Sequence, residues 1–124
     1  MKIEFPWPPS ELNPNSRPNR FVKARKVKQY RHDCAWLTKQ ALGRTRLQEP
    51  FLCTITFHPT NNLWDDDNAI AAFKAGRDGM CQALGINDRN LRPQYIHADP
   101  VKGGKVVVIL MSQTGDNFEV VGQG

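Results

Sequence analysis

The sequence predicts an α+β domain, a small mixed β-sheet with two main helices. Three observations carry that expectation. Phe51–His58 and Lys105–Met111 are rich in β-branched and aromatic residues, the composition of strands. Two longer stretches repeat apolar residues at intervals of three and four, the period of a helix with one buried face. The two patterns are interleaved along 124 residues, the length of one compact domain. Residues 1–114 are expected to form that domain and 115–124 a C-terminal tail.

Each element has its own local reason. Lys2–Phe5 alternates polar and apolar side chains and then meets Pro6-Trp7-Pro8-Pro9, so it reads as a short strand stopped by prolines. Ser10–Arg20 is rich in Asn, Pro and Ser and carries no helical period. It reads as a loop, long for so small a domain, and such loops are often either functional or disordered. From about Arg25 to Leu42, Val27, Tyr30, Cys34, Leu37 and Ala41 form one apolar stripe, while Lys28, Arg31, His32 and Lys39 lie off it. Gly43 is a C-cap, followed by the basic turn Arg44-Thr45-Arg46.

Pro50 ends the connection to the Phe51–His58 strand, and Pro59-Thr60-Asn61-Asn62 is turn chemistry. A second helix is expected from near Asn68 to Leu84, with Ala69, Ala72, Phe73, Gly76, Met80, Ala83 and Leu84 on its inner face. Gly76 and Gly79 each cost such a helix about 1 kcal/mol. Close approach by a neighbouring element would explain them. Gly85 caps the helix. Gln94–Ala98 and Lys105–Met111 are strands joined across a Gly103-Gly104 turn, and the run Val106–Leu110 belongs at the centre of the sheet.

The net charge is +5, but its distribution says more. Of the 17 Lys and Arg, 11 fall in residues 1–46 beside only three acids, Glu4, Glu11 and Asp33. The remaining chain carries more acids than bases. A basic third beside an acidic centre fits a polyanion-binding surface next to a cation site, and equally a helix with a solvated basic face. Cys34, Cys53 and Cys81 are scattered, with no CxxC pair, which supports neither a disulfide framework nor a zinc ribbon. No apolar run is long enough to span a bilayer and the N-terminus has no apolar signal core, so a cytoplasmic protein is expected.

The sharpest local feature is Asp65-Asp66-Asp67-Asn68, between a strand and a helix. In an extended segment Asp65 and Asp67 point to the same side. Two carboxylates about 4 Å apart repel by about 4 kcal/mol at an effective dielectric of 20. A hard cation such as Mg²⁺, Mn²⁺ or Ca²⁺ would turn that repulsion into ligation. The competing role is helix capping, for which one aspartate suffices. Asp88, in Gly85-Ile86-Asn87-Asp88-Arg89, is either a third carboxylate for the same ion or a plain turn aspartate. Lys74 is either a phosphate-neutralising ammonium or a surface ion-pair partner of Asp78. Trp64 either stacks on a base or fills the core.

These residues resemble the RusA family of Holliday junction resolvases, the crossover junction endodeoxyribonucleases often found in phages and prophages. The opening Phe5-Pro6-Trp7-Pro8-Pro9-Ser10 is similar to that family's start, and a basic loop and helix follow it. The centre is similar to the pattern D-x-D-N, then a helix with a lysine and an aspartate four apart, then a short G-x-x-D turn. Here these are Asp65, Asp67, Asn68, Lys74, Asp78 and Asp88. The resemblance runs from Phe5 to about Leu110. It departs from the family at Lys74, about one turn later in its helix, and at Asp66, where the family is usually apolar.

The resemblance implies Mg²⁺, with Mn²⁺ as a substitute, held by Asp65, Asp67 and Asp88, with Lys74 assisting cleavage. It implies four-way junction DNA as substrate and a homodimer that places two sites on two strands. Arg17, Arg20, Lys23, Arg25, Lys28 and Arg31 would then contact backbone phosphates. A DNA-binding module that does not cut, and a nuclease for flaps or other branched DNA, are the alternatives.

Overall fold

The computed structural model describes residues 1–45, 51–114 and 117–120, and the side chains of 1–45 and 52–111. Arg46, Pro50, 115–116 and 121–124 lie outside the described residues. The elements in order are β1 (Lys2–Pro6), a 3₁₀ turn (Ser10–Leu12), α1 (Arg20–Leu42), β2 (Phe51–His58), α2 (Asp66–Ala72), α3 (Lys74–Leu84), a second 3₁₀ turn (Asp88–Asn90), β3 (Pro93–His97), β4 (Lys105–Thr114) and β5 (Asn117–Val120). The fold is α+β with a mixed sheet, as the composition predicts.

The sheet runs β1-β4-β2-β3, with β5 also paired to β4. Among the described residues, β2 and β3 are the one parallel pair. The apolar Val106–Leu110 run is central as expected, with Val106 opposite Phe5 on one side and Phe57 on the other. Strand alternation sends Ile3, Phe5, Cys53, Ile55, Phe57, Val106, Val108 and Leu110 to one face, where all are buried under the helices. Leu52, Ile96 and Ile109 are exposed.

Phe73 is the hub of the aromatic core, its ring 5.7 Å from Phe5, 5.9 Å from Phe57 and 6.3 Å from Tyr30. It also interrupts what the apolar period predicts as one helix: α2 ends and α3 begins around it. The period persists through the break because Ala69, Ala72, Gly76 and Met80 are all buried. Tyr30 Oη donates to Pro6 O at 2.6 Å, which ties α1 to the end of β1.

The two helical glycines are where elements meet most closely. A Cβ on Gly76 would lie 2.7 Å from the Phe73 ring and 2.8 Å from Tyr30, and one on Gly79 would collide with the carbonyl oxygen of Arg31 in α1. The close approach expected from the sequence is thus α1 crossing α3.

Three details differ from expectation. α1 starts at Arg20 rather than Arg25, because Asn19 accepts a hydrogen bond from Phe21 N at 2.8 Å and caps it. Along α1, Thr38 is buried where the apolar stripe predicts Ala41, its hydroxyl donating to Cys34 O at 2.7 Å. Part of the expected tail is a strand: β5 pairs with β4 with Thr114 opposite Asn117.

This packing makes two predictions. Gly79→Ala gains helix propensity worth about 1 kcal/mol but drives a methyl into backbone, and overpacking costs typically about 1–3 kcal/mol or more. A net loss of about 2 kcal/mol is expected in urea unfolding; an unchanged midpoint would remove the close-crossing account. The three cysteines are free and buried, and burial pushes the thiols of Cys34 and Cys53 up to about 12 and that of Cys81 up to about 11. Since the thiolate is the nucleophile, the native protein at about pH 8 should resist a thiol reagent and take up three equivalents in denaturant. Fast native labelling of any one would contradict that burial.

Candidate functional site

In open sheets with parallel strands, ligands gather outside the strands' carboxyl ends. Such a place exists here at the ends of β2 and β3. A polar cleft of about 200 Å³ is lined there by Asn61, Asn62, Asp65, Asp66, His97 and Asp99 over a floor that includes Trp7, Phe57 and Trp64. Trp64 meets Trp7 edge-on at 5.1 Å and packs against the core, the second of the two roles its sequence position left open.

Asp65 ends the connection from β2 and caps α2, its Oδ1 accepting from Asp67 N at 3.0 Å. Capping, one of the two roles open to it, is therefore realised. Asp66 and Asp67 occupy the first turn of α2, where the helix dipole favours negative charge, and all three side chains are exposed. His97 Nδ1 lies 3.3 Å from Asp66 Oδ1, and its ring stacks on Phe57 with centroids 5.5 Å apart. His58 Nδ1 lies 3.1 Å from Asp99 O at the same end of the sheet.

Asp88 lies elsewhere. It precedes β3, whereas Asp65 follows β2. The paired run from Cys53–Pro93 to Phe57–His97 covers four residue steps, roughly 13 Å of strand. Asp88 is held by Arg77 of α3: Arg77 Nε is ion-paired with Asp88 Oδ1, Nη2 donates to Asp88 O at 3.2 Å and Nη1 to Tyr95 Oη at 2.8 Å. Cys81 Sγ lies 4.0 Å from the same carboxylate oxygen.

Among the described residues, no three His, Cys, Asp or Glu side chains stand together as a metal-binding group. As arranged, Asp65, Asp67 and Asp88 do not fit one divalent cation. Lys74 pairs with Asp78 at 3.4 Å, the surface role its spacing allowed, and lines a separate hollow with Leu12, Lys23 and Val27.

The six basic residues are all exposed. Arg17 precedes α1, and Arg20, Lys23, Arg25, Lys28 and Arg31 lie along it. Among the described residues none of the six forms an ion pair. The Arg20 guanidinium sits 4.9 Å above the Phe21 ring. His97, Asp99 and Arg77 were missed by sequence reasoning. Pattern could not find them, because each acquires its neighbours only through the parallel pairing of β2 and β3 or the packing of α3.

Fold and site together define an α+β domain with an acidic polar cleft at the carboxyl ends of its parallel strands and a basic helix in its outer layer. The chain belongs to the same family as an uncharacterized protein of Xylella fastidiosa (strain Temecula1 / ATCC 700964). The two are 35% identical over 120 residues, spanning 92% of this chain and 78% of that protein. No family model matches the chain.

The cap makes one prediction. Asparagine caps a helix as well as aspartate does, whereas alanine costs about 1 kcal/mol. Asp65→Asn should therefore preserve stability and Asp65→Ala should lower it by about that amount in chemical denaturation. Equal losses for both would mean that the charge, not the cap, matters to the fold.

Proposed function

We propose that the chain is a structure-selective endonuclease of the RusA type, which binds branched DNA as a homodimer and hydrolyses phosphodiester bonds with Mg²⁺. The single observation that carries the reading is the Asp65-x-Asp67-Asn68 segment opening a helix beside a polar cleft, with exposed carboxylates and a basic helix in the same small domain. Arg17, Arg20, Lys23, Arg25, Lys28 and Arg31 supply phosphate contacts, so binding should weaken steeply as salt rises. Cleavage draws on Asp65, Asp67 and Asp88, with Lys74 to neutralise charge. It requires Asp88 to leave Arg77, because the three carboxylates as they stand do not accommodate one cation between them.

One observation favours a second reading, a DNA-binding module that does not cut. Asp88 is engaged by Arg77 through both its carboxylate and its carbonyl, the contacts of a structural residue. One experiment separates the two. A labelled four-way junction is incubated with Mg²⁺, with a chelator, and with the Asp67→Asn protein. The nuclease reading expects symmetric nicks with Mg²⁺ only, and loss of at least about a hundredfold in rate for Asp67→Asn with junction binding kept. Binding without a metal-dependent product would leave the module. A panel of flaps and linear duplexes tests the preference for junctions.

A further inference from the structure

Trp36 is 55% exposed in the middle of α1, and nothing in the acidic site uses it. Its position follows from helix geometry. Cys34 and Thr38 are fully buried, and two residues from either is about 200° around the helix, so Trp36 faces away from the core. It therefore contributes little to packing, and tryptophan is no better than average at forming helix. A lone exposed apolar residue is ordinary. The surroundings of this one are not.

Trp36 lines a hollow of about 270 Å³ with Lys28, Arg31, His32, Lys39 and Gln82. Lys28, His32, Ala35 and Lys39 follow one another at helical spacing, so the bases run as a stripe along one flank of the indole. Gln82 of α3 forms the far wall. It stands there because Gly79, one turn earlier, lets α3 touch the backbone of α1 at Arg31. On the other flank, Trp36 and His32 line a second hollow with Pro6, Gln29 and Leu37. The one acid there, Asp33, accepts from Gln29 Nε2 at 2.8 Å.

We propose that this groove binds single-stranded DNA, with an unpaired base stacked on Trp36 and the flanking phosphates met by Lys28, Arg31 and Lys39. Charge complementarity selects a polyanion, and an exposed indole between cations selects one that offers a flat π-face. A duplex keeps its bases stacked on one another; a single strand, or the unpaired nucleotides of a branch, does not. The inference rests on the DNA-binding part of the function proposed above and adds to it a site for unpaired nucleotides.

The test is fluorescence anisotropy of a labelled oligothymidylate and of a labelled duplex, each titrated with wild type, Trp36→Ala, Trp36→Phe and Arg31→Ala at several salt concentrations. Stacking is worth about 1–3 kcal/mol per base. Trp36→Ala should thus bind the single strand about tenfold more weakly with the salt slope unchanged and the duplex unaffected, while Trp36→Phe retains most of the affinity. Arg31→Ala should reduce the salt slope by about one on the single strand. Quenching of intrinsic tryptophan fluorescence by unlabelled oligothymidylate should fall sharply in Trp36→Phe, which leaves only Trp7 and Trp64 to report. Wild-type affinity in Trp36→Ala, or equal losses on both DNAs, overturns the stacking site while leaving DNA binding intact. A wild-type protein that binds neither DNA overturns both.

Discussion

The parallel pairing of β2 with β3 governs where everything chemical in this molecule falls. Two parallel neighbours must be joined by a crossover, and here it consists of α2 and α3. The crossover leaves β2 at its carboxyl end and returns to β3 at its amino end. Asp65, at the departure, and Asp88, just before the return, are separated by that requirement. The same pairing sets His97 beside the departure point, where it meets Asp66 and stacks on Phe57. One hydrogen-bonding choice between two strands thus builds the polar cleft and withholds the third carboxylate from it.

The second constraint is the contact of α3 with α1. Gly79 brings α3 against the Arg31 backbone, and Gly76 makes room for the Phe73 and Tyr30 rings. With its inner stripe sealed in this way, α1 presents its lysines and arginines outward along more than about five turns. Side-chain charge of one sign concentrated on one helix opposes folding by self-repulsion, and only Asp33 offsets it within α1. Such a distribution costs stability, a cost that a bound polyanion would offset under the proposed function. The glycines that fix the helix crossing also shape the walls of the basic groove.

Much of the fold was legible because its signals are local. The strand Phe51–His58 declares itself by composition, and Gly76 and Gly79 announce a close crossing by being poor helix formers inside a helical period. What escaped depended on contacts distant in sequence. The start of α1 hid in an Asn- and Pro-rich stretch whose last asparagine is a cap. The break at Phe73 is invisible to periodicity because the buried face continues through it. In the site, the order of the aspartates was readable, but their spatial relation was not. Sequence spacing carries no information on which end of a crossover a residue occupies, nor that Arg77 would engage Asp88.

The hold of Arg77 on Asp88 sets the terms on which that carboxylate could act. Parting the two gives up an ion pair whose carboxylate is largely open to solvent, a cost of up to about 1 kcal/mol. At about 1.4 kcal/mol per factor of ten, this would weaken the apparent affinity for any ligand that recruits Asp88 by up to about fivefold. A phosphate drawn to Arg77 would offset the loss, because guanidinium pairs with phosphate as readily as with carboxylate. Under the proposed function, bound DNA would then favour release of the Asp88 carboxylate, and the acidic set would form only if the two strand ends that carry Asp65 and Asp88 were also drawn together. The same ion pair that supports a purely structural role for Asp88 is thus also the element through which substrate could switch a hydrolytic one on.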